Sequence, residues 1–259
     1  MELDLAHVAD WISSAAWPLG RVSGLVMTAP IFAAAAVPVR VRVAFVVLLT
    51  VILLPLAPRD ASVQPLSLAG MSVMVVQVGI GAILGFSLRL VFEAVAFGGE
   101  LIATSMGLNY ASVVDPQHGN TTPVVGQLYT LLAVLLFLVM DGHLALIRLL
   151  ADSFAALPAS TGSIDRALFW AFAGVASEVF AGALRVALPA MTAMLVVNLA
   201  FGFTSRAAPA LNLFAVGFPV TLVAGFVFTW FSLRGFPQAF AGMSDAAFAG
   251  VRSVLGIGP

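Results

Sequence analysis

The sequence predicts an all-α membrane protein of kinked, proline-interrupted helices, and three observations lead there. The mean hydropathy is +1.10 with only 9% charged residues, far from the roughly one-quarter charged usage of soluble domains. Charge-free runs extend over Val22–Val39, Ala61–Leu88, Pro116–Met140, Val186–Ser205 and Ala207–Leu233. Most of them approach or exceed the roughly 20 residues that cross a bilayer core, so about five to seven membrane-level helices are expected. Finally, Pro18, Pro30, Pro38, Pro55, Pro189, Pro209 and Pro219 fall inside or at the edges of these runs, where each removes a helical hydrogen bond. Backbone groups freed in this way need protein or water partners, which lipid does not supply.

Each segment has its own justification. Met1–Asp10 carries Glu2, Asp4 and Asp10 but no basic residue, so it lacks the positive region of a cleavable signal peptide and the first segment is expected to stay. After that segment come Arg40 and Arg42, the only close pair among eleven basic residues that are all arginine. By the positive-inside tendency they place their loop on the cytoplasmic side. Gly70–Glu100 is the longest clean helix signal, and Gly81 and Gly85 form a small-xxx-small pair, open between close helix approach and chance in a glycine-rich chain. Leu108–Gly126 (LNYASVVDPQHGNTTPVVG) is a polar, turn-rich stretch between two apolar segments. Pro158–Arg166 (PASTGSIDR) reads as a connector of Pro, Ser, Gly and Thr. It divides the chain into a longer N-terminal part, 1–158, and a shorter C-terminal part, 159–259.

Composition also excludes functions. Net charge is −1, and without a polybasic surface nucleic-acid binding is not expected. Cysteine is absent, which removes disulfides and thiolate chemistry. His7, His118 and His143 stand apart without zinc-helix spacing, and no nucleophile elbow, phosphate loop or dinucleotide fingerprint occurs. No catalytic residue, metal or cofactor is assigned.

Charges within apolar segments are the remaining signal, because an ionisable group at membrane depth costs about 2.5 kcal/mol or more unless paired or wet. Glu93 and Glu100 are seven residues apart with Arg89 four before Glu93; Glu178 and Arg185 repeat the spacing of seven; Arg206 sits between two apolar runs. With Arg21 and Asp141 these are candidate structural and assembly charges whose faces are expected to point into protein. A proton or ion pathway is the alternative reading.

A family resemblance accompanies these features. Gly99-Glu100-Leu101-Ile102, Met106-Gly107-Leu108, Asp115-Pro116, Gln127, Leu136-Phe137-Leu138, Asp141-Gly142-His143, Ser153-Phe154 and Leu157-Pro158 resemble the FliR family of membrane subunits of the flagellar type III export apparatus. Upstream, Arg21, Pro30, Phe32, Pro38, Arg40 and Arg42 fit the same pattern. Downstream, Leu188-Pro189, Asn198, Gly202, Arg206, Pro209, Asn212, Phe214 and Gly217-Phe218-Pro219 continue it. The chain departs from the pattern at Ser105 and Ala210, where glutamine is common, so no polar contact of those glutamines carries over.

The resemblance implies kinked helical hairpins packed into a helical export-gate assembly in the bacterial inner membrane. The partners it implies are FliP-like and FliQ-like subunits, FlhB-like and FlhA-like export proteins, rod, hook and filament export substrates, and membrane lipid. It makes 1–158 a FliP-like part and 159–259 a FliQ-like hairpin. It also implies that the loop at 106–123 enters the pore and helps to plug it, with Met106, Gly107, Leu108, Tyr110, Val113, Val114, Asp115, Pro116 and His118 as gate residues. The residue types suit that role: Asp115-Pro116 and His118-Gly119-Asn120 form turns, while Leu108, Tyr110, Val113 and Val114 can seal by excluding water. A virulence type III subunit is one alternative. Without the resemblance, the broken helices and embedded charges would equally suit a small-solute secondary transporter, although inverted sequence halves are not found.

Overall fold

In a computed structural model the structure describes residues 5–57, 65, 67–108, 124–158, 166–208 and 213–257. Those residues are helical and contain no strand. The helices are α1 (Leu5–Thr28), α2 (Val39–Leu53), a 3₁₀ turn (Leu54–Leu56), α3 (Leu68–Ser105), α4 (Val124–Val139), α5 (Gly142–Ala156), α6 (Arg166–Ala207), α7 (Leu213–Ser232) and α8 (Phe236–Leu255). Among the described residues three helical stretches are long and apolar enough to cross a membrane: Val39–Leu56, Leu68–Ser105 and Val179–Ala207. Counting the broken pairs α4–α5 and α7–α8 as one span each gives up to five, the lower end of the expected number.

Local chemistry accounts for the helix ends. The hydroxyl of Ser67 accepts from the Gly70 backbone N–H at 3.0 Å, satisfying one of the donors that open α3. Pro38 precedes α2 in an extended conformation, and Pro55 lies in the 3₁₀ turn that closes it. Pro18, Pro189 and Pro219 lie inside α1, α6 and α7. Asp141, with φ of 54° and ψ of 26°, separates α4 from α5 in the left-handed region. A short polar side chain visits that region at less cost than other non-glycine residues.

The chain forms two compact units, interleaved along the sequence. The first comprises 1–90, 140–177 and 245–259; the second, 91–139 and 178–244. In the first, α1 crosses the start of α3 at glycines. A Cβ on Gly24 would collide with the Val78 carbonyl oxygen, and one on Gly81 would collide with the Arg21 carbonyl oxygen. Gly85 faces Thr28, whose hydroxyl donates to Gly24 O at 2.9 Å and, across the helices, to Ala82 O at 3.1 Å. The Gly81/Gly85 pair is therefore a close-approach site, where backbone meets backbone because no side chain intervenes. Beside it, Arg42 Nη2 donates to Ala34 O at 2.7 Å and Phe32 stacks on Phe45 at 4.8 Å, ordering the turn between α1 and α2.

The second unit is organised by aromatic residues. Phe92 meets Phe137 and Phe240 edge to face at 5.8 Å each, and Tyr129 meets Phe236 at 5.1 Å, geometries that the ring quadrupoles favour. Methionine fills the notches left by glycine: Met243 lies over Gly182, and Met106 over Gly225. An unbranched, flexible thioether suits such irregular gaps.

Candidate functional site

Two arrangements involve the residues singled out by the sequence. The first surrounds Arg21, which is fully buried in the first unit. Its Nε donates to Gln77 Oε1 at 2.8 Å, Nη1 donates to Ser153 O at 2.6 Å and to Ser153 Oγ at 3.0 Å, and Nη2 donates to Leu157 O at 2.6 Å. The guanidinium also lies 4.5 Å from the centre of the Phe154 ring. Ser153 and Leu157 stand at the C-terminal end of α5, the negative end of its dipole; Ser153 O also accepts from the Leu157 N–H at 3.0 Å, and Leu157 O lies past the last helical residue. A planar, multidonor cation meets that need better than a point charge. Among the described residues no carboxylate belongs to this cluster, and α1 is outside the membrane-capable stretches. Burial lowers the Arg21 pKa to about 10, so the group remains a cation at physiological pH. Because Arg21 can only donate, the Gln77 carbonyl must face it. The Gln77 Nε2 group is then left buried without a partner.

The second arrangement is the base of the polar loop, in the second unit. α3 ends in a Schellman turn: Gly107 N donates to Thr104 O at 3.0 Å and Leu108 N to Ala103 O at 3.1 Å. Gly107 has a φ of 81°, which glycine adopts at no steric cost. This gives a backbone reason for the Met-Gly-Leu element. Met106 is buried and its side chain covers Gly225 of α7, while Asn198 of α6 donates from Nδ2 to Ser105 O at 3.2 Å. On the far side of the loop, Gly126 of α4 packs against Gly99 of α3, where a Cβ on Gly99 would come within 2.7 Å of Gly126 Cα. Both ends of the polar segment are thus held on the same stretch of α3. Tyr110, Val113, Val114, Asp115, Pro116 and His118 lie outside the described residues.

The remaining sequence-predicted charges whose side chains are described lie at the surface of the chain. Arg89, Glu93 and Glu100 are exposed on one face of α3, and Arg185, Arg206 and Asp141 are exposed on their own elements. Arg206 stands in the last turn of α6, where a cation complements the helix dipole. Glu178 lies in α6 with its side chain outside the described residues. Of the predicted charges described, Arg21 alone is buried within the chain. Among the described residues no three of His, Asp and Glu are grouped to hold a metal ion.

Sequence reasoning missed Gln77 and Gly225, and took Ser153 only as part of the family pattern. A neutral polar residue inside an apolar run was a usable signal for Gln77, since a buried Arg needs acceptors. Gly225 carries no such mark, because only the approach of Met106 distinguishes it from any other glycine.

The model of the family described as "Bacterial export proteins, family 1" matches residues 12–247. The chain is 41% identical over 218 residues to the flagellar biosynthetic protein FliR of Pectobacterium carotovorum subsp. carotovorum, covering 84% of this chain and 83% of that one. It is 39% identical over 216 residues to FliR of Escherichia coli (strain K12), covering 83% and 82%. With FliR of Bacillus subtilis (strain 168) the identity is 28% over 210 residues, covering 80% and 81%. A match over nearly the whole chain, on a helical structure with membrane-capable segments, places this chain in the FliR family of flagellar type III export proteins.

Proposed function

We propose that this chain is a subunit of the flagellar type III export gate. In this reading it assembles with FliP-like and FliQ-like subunits in the inner membrane into a channel for unfolded rod, hook and filament proteins, next to FlhB-like and FlhA-like components. Residues 1–158 take the place of a FliP-like unit and residues 159–259 that of a FliQ-like hairpin. The flagellar system is chosen over the virulence one because the relatives bear flagellar names.

The observation that carries the reading is the surface that the chain leaves uncovered. Val39 of α2 is 70% exposed, and Trp230 of α7 is 68% exposed. Glu100 is exposed on α3, and Arg185 and Arg206 on α6, both helices within or overlapping membrane-capable stretches. Water does not suit the first set and hydrocarbon does not suit the second. Neighbouring protein subunits suit both.

The segment from Met106 to Pro123 acts in this reading as a plug. Its two ends are clamped on α3, so its middle can change without unfolding the rest, and its apolar residues exclude water from the constriction. The test is deletion of Tyr110–Gly119 in a chain co-expressed with its partners. The complex is expected to purify at its normal size while membrane ion conductance rises, and Asn120→Ser is expected to do little. A fully assembled deletion complex in membranes as ion-tight as wild type refutes the plug.

A further inference from the structure

At the end of α3 three observations coincide. Met106 is 1% exposed and directly precedes the Schellman glycine, so its main chain is fixed by the hydrogen bonds of that turn. Its side chain lies along Gly225: a Cβ placed there would sit 2.6 Å from Met106 Cε and 2.8 Å from Sδ, and would overlap Cγ as well. The Asn198 amide holds the adjacent Ser105 carbonyl. The overlap with Cγ decides the consequence. Swinging the outer thioether cannot relieve a clash one bond beyond Cβ; χ1 must change, or the main chain at the end of α3 must move. Glycine inside α7 also costs about 1 kcal/mol against alanine, which is offset only if the notch is used.

We propose that Met106 seated in the Gly225 notch is a key that positions the end of α3 against α7, with Asn198 fixing it to α6, and that export requires this registration. Met106 and Gly225 are positioning residues: they fix the place and direction in which the main chain leaves α3. The inference rests on the export reading above, but it concerns described residues that the loop deletion leaves intact.

The test is a volume-compensation cycle in chains co-expressed with their partners, read as export of a hook or filament protein per purified complex. Gly225→Ala is expected to lower export per complex by about tenfold while complex yield stays within about twofold, and Met106→Ala to lower it by a few-fold. In the double variant the new methyl enters the space the thioether vacates, so export is expected to return to within about threefold of wild type, a non-additivity that independent sites do not show. Normalising to purified complex removes any loss due to folding alone. Wild-type export per complex in Gly225→Ala, or a double variant no better than Gly225→Ala, overturns the proposal. If instead the wild-type chain neither copurifies with its partners nor is needed for export, it is the export-gate reading that fails.

Discussion

Replacing Arg21 by methionine tests the packing logic of the first unit. Loss of the guanidinium leaves Gln77 Oε1 and Leu157 O without their donor, whereas Ser153 O keeps the Leu157 N–H at 3.0 Å and Ser153 Oγ keeps its own bond to Leu150 O at 2.6 Å. Two orphaned acceptors at about 1–3 kcal/mol each give a gross cost of about 2–6 kcal/mol. Methionine refills much of the volume and removes the desolvation of a cation, which brings the net loss to about 2–4 kcal/mol. At about 2–4 °C per kcal/mol for a chain of this size, the expected fall in Tm is about 4–16 °C. Arg21→Lys should be intermediate, because a compact ammonium cannot reach Gln77, Ser153 and Leu157 together. The assay is tryptophan fluorescence on thermal unfolding of the detergent-solubilised complex at pH 6 and pH 8. Burial lowers the folded-state pKa to about 10, so the folded chain sheds this proton before the unfolded chain does. Stability linked to the group therefore rises only above about pH 10 and is constant below it. The difference between wild type and variant should be equal at the two pH values. A Tm within about 2 °C of wild type for Arg21→Met would show that solvent satisfies these carbonyls, and that the buried node is incidental.

Two further outcomes follow from the helix surfaces. Gly81→Leu drives a side chain into the Arg21 carbonyl and the α1 backbone, so complex yield should fall by about tenfold or more as α1 and α3 separate; Gly174→Leu, where nothing lies within 4 Å, is the control, and equal yields for the two would refute the glycine contact. Arg206→Ala should change the stability of the chain itself by no more than about 0.5 kcal/mol because the side chain is exposed; a loss of partner copurification without a change in unfolding would place its contact on another subunit, and a large loss of intrinsic stability would refute the exposed position.

Sequence alone determined the class of this protein. The hydropathy of the runs, the scarcity of charge and the inserted prolines dictate helices at membrane depth that cannot all be straight, and α1, α6 and α7 contain the prolines expected of them. Gly70–Glu100 was legible as one long helix because its apolar signal is uninterrupted, and α3 covers it. The order of motifs from Arg21 to Pro219 was enough for the family. Such features are local, or read along the chain, and a sequence displays them directly.

Tertiary structure decided which of the marked residues act together. Arg21 and Arg206 look alike in sequence, each a lone cation bordering an apolar run. One is buried against the end of a helix 132 residues away, and the other is exposed on the last turn of its own helix. Gly81 stood open between close helix approach and chance, and Gly225 was one glycine among 23, until the Arg21 carbonyl and the Met106 side chain were found against them. The reason is that burial and clash are relations between segments far apart in sequence. A residue's type states what it needs, a donor, an acceptor or empty space, but only the packing of one helix on another determines which neighbour supplies it.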